Sequence, residues 1–301
     1  MIAPDLLFAA TIRTAVPLLL AAGGELISER AGIINVGLEG AVISGAFAAT
    51  VGALHLGIRG GYAAGALAGV CVGLLMTLFV VTIRADQILA GTAVTMLSFG
   101  LTGALYRAIY GATGVALTVP TSPSVFIPVL SSLPVVGSAL FAQPLVFYFA
   151  YALIPALSLA LYRTHAGLGV RASGEDPNAA RAAGIPVARL RSIALVAGSS
   201  LGGLAGAVLV LAQAGTFAEG MSAGRGFIAI AVVALGRWTP WGVLAAAVVF
   251  GLATAVQYVV QVLGWPIPYE LVLMLPYVLT LLALVLSPRG AAPAMLARAD
   301  A

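Results

Sequence analysis

The sequence predicts an all-α, polytopic membrane protein with about nine transmembrane helices (eight to ten), some broken or re-entrant, arranged as two inverted repeats. Hydrophobic residues make up 61% of the 301 residues and charged residues only 8%, too few to cover the surface of a soluble domain. Apolar stretches long enough to cross a bilayer recur along the whole chain. Each half has a full span, then a glycine-broken segment, then further spans around a Gly-x-x-x-Gly-x-x-x-Gly ridge.

The chain is predicted to be one transmembrane domain, 1–301, with repeat halves at about 1–110 and 191–287. A basic loop at 163–191 separates the halves and holds five of the 14 arginines. Because cytoplasmic loops are enriched in positive residues, this loop, Arg84 and the C-terminal tail are predicted to be cytoplasmic, with the N-terminus outside. The chain has no lysine, and its net charge of +4 reflects these loops rather than a nucleic-acid surface.

The sequence gives no sign of a resident metal or cofactor. Cys71 is the single cysteine, so no intrachain disulfide can form, and no cluster of metal ligands is suggested. The nucleotide-binding pattern Gly-x-x-x-x-Gly-Lys-Ser/Thr does not occur, so ATP and its Mg are expected on a separate chain. Neither His-Glu-x-x-His nor a pair of aspartates in adjacent spans is present, which argues against an intramembrane enzyme.

The first apolar segment, 6–23, carries Arg13 inside it and leads into a glycine-rich stretch at 24–49 with three glutamates. Charge and glycine between two spans predict a broken or re-entrant segment that is buried in protein or lines a cavity. Asn35 and Glu39 are four residues apart and would share a helix face, as parts of a gate or a solute pathway. The alternative is that Glu39 is a structural pin, paired with a neighbouring helix.

The second span is predicted to end near Leu56. The third is predicted to pack closely against other helices, and the fourth to carry a polar stripe. The span 62–83 contains a glycine ridge suited to helix packing, formed by Gly65, Gly69 and Gly73. The span 87–110 places polar residues on one face, and three of them are candidates for a solute pathway: Thr95, Ser98 and Thr102. The alternative is that these hydroxyls bond to carbonyls of their own helix.

An uncharged loop at 111–143 and a span at 144–162 lead to the basic loop. Inside that loop Asp176 is a good N-cap, Pro177 suits the first helical position and Gly184 suits a left-handed C-terminal residue. A short helix is therefore predicted at 178–183. Either a partner protein grips it and moves the membrane part, or it is a helical turn in an ordinary basic loop.

The second half begins with a span at 192–214, which carries another packing ridge: Gly198, Gly202 and Gly206. The apolar segment 226–236 is too short for a normal span. The following span, 243–263, places three polar residues on one face, and these are pathway candidates as well: Thr254, Gln257 and Gln261. A last span is predicted at 269–287.

Four segments carry a family resemblance: GELISERAGIINVGLEGAVISGAF, ADQILAGTAV, GEDPNAARAAGIPVARLRSIALVAGSSLGGLAGA and GFIAIAVVALGRWTPWGVL. They resemble permease subunits of branched-chain amino acid/ribose-type ABC importers, most closely the nucleoside or simple-sugar branch, and the resemblance covers nearly the whole chain. It implies an ATPase-coupling region that comprises Gly174, Glu175, Asp176, Pro177, Asn178, Arg181 and Gly184. One departure is Thr95, where the family leads us to expect asparagine.

The resemblance also implies partners and a location. The partners would be an ABC ATPase, a second and non-identical permease chain, and an extracytoplasmic binding protein of the basic-membrane-lipoprotein type. The chain would cross the bilayer of the bacterial inner membrane several times, with its C-terminus in the cytoplasm. Two alternatives stay open: a permease for branched-chain amino acids, and an ion-coupled secondary transporter, for which Glu39 is the strongest candidate coupling residue.

Overall fold

The computed structural model describes residues 4–111, 118–128, 131, 136–263, 269–286 and 292–296. The architecture is mostly helical, as predicted. The helices are α1 (Pro4–Arg30), α2 (Leu38–Met76), α3 (Gln87–Tyr110), α4 (Val136–Phe141), α5 (Leu145–Arg163), α6 (His165–Glu175), α7 (Pro177–Ala182), α8 (Val187–Val208), α9 (Arg225–Leu235), α10 (Pro240–Leu263), α11 (Tyr269–Leu273) and α12 (Leu275–Leu286). The helices α2 and α8 continue into π-helical turns at Thr77–Thr82 and Leu209–Ala214.

Six helical stretches in the described ranges are long and apolar enough to cross a membrane. The longest, Leu38–Thr82, contains a reversal at Gly57, which has the left-handed φ of 74°. The two arms of this stretch pack against each other, since Gly61 lies against Ala49 and Gly65 lies against Gly45. The second and third predicted spans are therefore the arms of one hairpin.

The helix α8 packs against both arms of α2 and against α1, and its glycines permit this close approach. The ridge of Gly65, Gly69 and Gly73 faces the stretch 195–207 of α8. The second ridge lies on another face of α8, with Gly198 against Gly24 and Gly206 against Val42. A Cβ at Gly69, Gly198 or Gly206 would collide with backbone atoms, so at these positions the contact is backbone against backbone.

The glycine-rich stretch at 24–49 differs from its prediction. The helix α1 continues past Gly23 to Arg30, and the break is confined to 31–37. Gly24 lies within α1, and its lack of a side chain allows the backbone of Gly198 to approach closely. After the break, α2 begins with Leu38 beside Gly202, close to the middle of the Val187–Ala214 span. The chain thus turns back before α2 starts, as a re-entrant segment does.

A second break has the same form. The chain leaves the π-helical turn at Ala214, and residues 215–224 lead to α9. Gly226 lies directly against the backbone of Glu39. Two helices that each follow a break, α2 and α9, therefore begin next to each other inside the protein.

Two local predictions were incomplete. The fold is not purely α-helical, because the strands β1 (Ser124–Phe126) and β2 (Ala142–Pro144) form an antiparallel pair in which Val125 is opposite Gln143. The basic loop contains a second helix, α6, which the sequence analysis did not predict. Thr164 caps α6 by accepting a hydrogen bond from the Gly167 amide at 3.0 Å.

Candidate functional site

Glu39 joins the starts of α2 and α9. Its Oε1 accepts a hydrogen bond from the Gly224 amide at 2.9 Å, and its Oε2 accepts one from the Gly226 amide at 2.6 Å. The side chain is 1% exposed. A buried negative charge there compensates the positive ends of both helices. This geometry is that of a pin between two helix ends, and the role of Glu39 as a gate stays a prediction.

The break at 31–37 is held by polar contacts from three sides. The Asn35 amide donates to Glu25 Oε1 at 2.9 Å, and its side-chain Nδ2 donates to Ser199 Oγ at 2.9 Å. The Ile34 amide donates to Gln87 Oε1, also at 2.9 Å. Asn35 is fully buried, so the structure places it in the anchoring of the break rather than on an open surface.

The polar stripe of α3 lies against this break. Thr95 Oγ1 donates to the Val36 carbonyl at 3.1 Å. Ser98 and Thr102 donate to carbonyls of their own helix, at Val94 and Ser98. All three side chains are buried. Ser98 and Thr102 thus make the intrahelical bonds of the alternative interpretation, whereas Thr95 bonds the break. A part in solute passage stays a prediction for all three residues.

A cavity of about 500 Å³ lies between the N-terminal half of α1, the end of the α8 span, residues 216–225 and α10. Its polar lining is Arg13, Thr14, Gln213, Thr216, Arg225 and Tyr258. A smaller cavity of about 140 Å³ shares Thr14, Arg225 and Tyr258 with it. Together they reach from α1 to Tyr277 on α12, and the residue next to the Glu39 junction, Arg225, lies between them.

The polar face of α10 meets this pair of cavities only in part. Thr254 and Gln257 line the smaller cavity. Gln261 is exposed and belongs to neither lining. Arg13 stands out in the sequence as a charge inside an apolar segment, but no local pattern connects it with Arg225. The contact between these distant segments depends on the re-entrant path of 215–224, which sequence spacing does not reveal.

A second polar cluster lies at the other end of α1. Arg30 donates through Nε and Nη2 to the Trp238 carbonyl, at 2.8 and 2.6 Å, and Glu29 accepts the indole N–H of Trp238. Arg237 and Trp238 both have a φ of 53°. Two consecutive left-handed residues are costly, and these hydrogen bonds offset that cost at the turn between α9 and α10.

The short helix α7 has the predicted ends. Asp176 Oδ1 accepts from the amides of Asn178 and Ala179 at 2.9 and 3.0 Å, and Pro177 is at the first turn. Gly184 takes a φ of 79° with open space around it. Arg181 is exposed and donates to Asn178 Oδ1 at 2.9 Å. The helix therefore presents an arginine from a capped, rigid turn.

The coupling residues divide into an exposed group and a buried one. Glu175 is exposed, and it accepts from the Ala294 amide at 3.3 Å. Gly174, in contrast, is buried against the Arg30 carbonyl and the Gly32 amide. The C-terminal segment 292–296 also lies here, because the Met295 amide donates to the Gly174 carbonyl at 3.0 Å. The tail and the basic loop are therefore on the same side of the protein.

Arg191 links the basic loop to the first break. Its Nε donates to the Ala31 carbonyl at 3.1 Å, and its Nη2 donates to the Ser173 carbonyl at 3.2 Å. It also lines a small cavity with Arg84 and Arg181. In the described ranges, no group of three or more His, Cys, Asp or Glu side chains is placed to hold a metal ion.

Comparison with known proteins gives one consistent result. The family model described as "Branched-chain amino acid transport system / permease component" matches residues 7–284. The guanosine ABC transporter permease NupQ of Bacillus subtilis is 37% identical over 290 residues, covering 91% of this chain and 89% of that protein. The nucleoside ABC transporter permease NupC of Lactococcus lactis is 33% identical over 282 residues, with coverage of 90% and 88%.

A protein of Haloferax volcanii, TsgC13, described as a glucose ABC transporter permease, is 36% identical over 256 residues and covers 82% of this chain and 75% of that protein. Among solved structures, a metal-chelate type ABC transporter in an inward-facing conformation matches with a TM-score of 0.52 and 18% identity. That alignment covers 94% of this chain and 85% of the other. The structural likeness concerns the fold.

Proposed function

This chain belongs to the branched-chain amino acid transport system/permease component family, and we propose that it translocates nucleosides as the membrane subunit of an ATP-driven importer. One observation carries the proposal: a guanosine permease is 37% identical to this chain over nearly the full length of both proteins. The nucleoside permease of Lactococcus lactis supports the same substrate class. The glucose permease keeps a simple sugar as the second candidate.

The lining of the larger cavity disfavours a branched-chain amino acid. A zwitterion presents an ammonium group, which calls for a carboxylate or several carbonyl oxygens as partners. Among the residues that the structure describes, the lining contains two arginines and no Asp or Glu. A neutral solute with hydrogen-bond acceptors suits these donors better.

We propose that α7 is the element on which the ATPase acts. Its exposed Arg181 suits an acidic surface on that partner, and its caps keep it rigid under load. Behind it, Gly174 and Arg191 contact residues 30–32, where the first break begins. A displacement of α7 would therefore reach the break through α6 and α8.

The break would pass this displacement on to the cavity. Asn35 and Gln87 fix the position of residues 34–35, and α2 starts immediately afterwards. Glu39 then holds the two amides on either side of Arg225. Because Arg225 lines both cavities, movement of the break would change the shape of the site where a solute lies.

We also propose the topology that the sequence predicts. Dividing the longest stretch at Gly57 and adding the shorter apolar helices Arg225–Leu235 and Glu270–Leu282 gives nine apolar segments within the described ranges. The paired starts of α2 and α9 support two inverted repeats. The shared position of the basic loop and the C-terminal segment supports a cytoplasmic location for both. The remaining partners would be a second, non-identical permease chain and an extracytoplasmic binding lipoprotein.

Reconstitution tests the proposed function. This chain, its ATPase and its second permease chain would be placed in proteoliposomes with ATP enclosed on the ATPase side. Labelled guanosine, glucose and leucine would be supplied with the cognate binding protein. We expect guanosine uptake that requires ATP and is unaffected by ionophores. Uptake that stops with ionophores and continues without ATP would instead identify an ion-coupled transporter.

A further inference from the structure

The larger cavity contains an arginine from within a membrane-spanning helix. Arg13 lies nine residues after Pro4, about 14 Å along α1. Its side chain is exposed, and among the described residues the structure records one ion pair, between Arg107 and Glu219, outside this cavity. A guanidinium at such a depth is costly unless it faces water or a ligand, and here it faces the cavity.

Other hydrogen-bond donors surround the same space. Arg225 stands at the start of α9 and is fixed by bonds from its Nη1 to the carbonyls of Met221 and Ser222, at 2.9 and 3.1 Å. Gln213 is positioned by a bond from its Nε2 to the Arg13 carbonyl at 2.5 Å. No carboxylate is found among the described residues that line the cavity. The cavity is therefore electropositive and rich in donors, which favours a ligand with adjacent acceptor atoms.

An aromatic surface completes the lining. Tyr258 borders both cavities, and Tyr277 borders the smaller one. A planar ring can stack on a tyrosine, and such stacking does not depend on which base is present. Recognition of a particular base would then depend on the donors. A volume of about 500 Å³ is within the range of small-molecule sites.

We propose that this cavity is a solute site on the transport route and that it prefers 6-oxopurine nucleosides, with Arg13 binding the O6/N7 edge of the base and Tyr258 stacking on the ring. Guanine and hypoxanthine present two adjacent acceptors on that edge, which match the parallel N–H groups of an arginine. Adenine presents a donor in place of O6 and lacks this match. This inference rests on the proposed function, since it assigns the base that the importer favours.

The first test compares substrates in the reconstituted importer, with the binding protein saturated by guanosine, inosine or adenosine. Arg13→Ala should lower guanosine and inosine uptake about tenfold, the size of one bidentate base contact, and adenosine uptake much less. The exposed Arg59, which lies outside this cavity, supplies the control Arg59→Ala, and all three rates should stay at the wild-type level. An equal loss for all three nucleosides in Arg13→Ala would overturn the inference.

A second test covers the case in which Arg13→Ala fails to assemble. Ala218 lines the cavity and is exposed, so Ala218→Cys in a Cys71→Ala background places a reactive thiol in the site. Millimolar guanosine should slow maleimide labelling of this thiol in the assembled complex several-fold, and adenosine should not. Labelling that guanosine leaves unchanged would refute the site. If the wild-type importer takes up no nucleoside at all, the proposed function itself fails, and this inference with it.

Discussion

Glu39 bonds the backbone amide of Gly226 at 2.6 Å across 187 residues of sequence, and its other oxygen bonds Gly224 at 2.9 Å. The space between these residues admits no further atom, because a Cβ on Gly226 would collide with the Glu39 backbone. One carboxylate therefore decides how the start of α2 meets the start of α9.

The first prediction concerns this carboxylate. Glu39→Gln should destabilise the purified complex by about 1–3 kcal/mol, because one of the two amides loses its acceptor and the charge at the helix ends is removed. Thermal unfolding in detergent measures this, with the exposed Glu219→Gln as a control that should change little. Should Glu39→Gln keep full stability and assembly while transport falls, the gate interpretation is right and the pin is wrong.

A second prediction concerns the ends of α7. Asp176→Ala with Gly184→Val removes a cap, at about 1 kcal/mol, and forces a β-branched residue into a φ of 79°. We expect transport to fall while ATP hydrolysis persists and the binding protein still docks. The matched control is Asp86→Ala, which removes the same two-amide cap from the 24-residue α3. Normal transport by the double variant with its ATPase bound would show that α7 does not transmit force.

The third prediction concerns Arg191, which bonds the Ala31 and Ser173 carbonyls. Arg191→Lys keeps the charge but replaces a planar fork with a single ammonium, so it should loosen the link between the basic loop and the first break. We expect more ATP hydrolysed per nucleoside transported. The exposed neighbour Arg189→Lys should leave that ratio unchanged. A ratio altered equally in both variants would point to a general effect of the loop.

A fourth prediction separates two polar residues by what they contact. Ser98 lies against Gly40, so Ser98→Leu should lower stability more than Leu97→Phe, whose site is 55% exposed. Gln257 borders the smaller cavity, so Gln257→Phe should slow transport with little loss of stability, in contrast to Val256→Phe. Melting temperatures and uptake rates of the four variants would be compared. Equal transport by the Gln257 and Val256 variants would exclude a pathway role for Gln257.

The fifth prediction is topological. In a Cys71→Ala background, cysteines at positions 171 and 181 should be labelled from the cytoplasmic side and cysteines within 118–128 from the opposite side. An impermeant maleimide applied to right-side-out and inverted vesicles distinguishes the two. Labelling of both regions from one side would refute the proposed orientation.

Local sequence patterns predicted several parts of this structure. Three of these parts depend only on neighbours in sequence or on helical spacing: the cap at Asp176, the left-handed Gly184 and the glycine ridges. Sequence neighbours and spacing can both be read directly from the sequence. The presence of a break near Asn35 followed from glycine and charge between two spans, although the predicted stretch, 24–49, is longer than the break that the structure shows at 31–37. Gly24 lies within α1, where its lack of a side chain allows the Gly198 backbone to approach, and this long-range contact leaves no local pattern.

The cavity could not be predicted for the same reason. Arg13, Gln213, Arg225 and Tyr258 are brought together by α1, two breaks and α10, and no spacing rule connects them. The stripe on α3 misled in the opposite direction. The helical period correctly placed Ser98 and Thr102 on one face. The same polar pattern arises, however, when hydroxyl groups donate hydrogen bonds to carbonyls of their own helix and when they contact a solute.

The distance in sequence between Glu39 and Gly226 also has a consequence for biosynthesis. At translation rates of about 5–20 residues per second, roughly 10–40 s separate the synthesis of the carboxylate from that of the amide that binds it. During that interval the nascent first half holds an acidic side chain among apolar helices without its final partner, an expensive state in a bilayer. The first re-entrant turn can therefore settle only after α9 has been inserted, so this subunit completes its fold late, when more than three-quarters of the chain has left the ribosome.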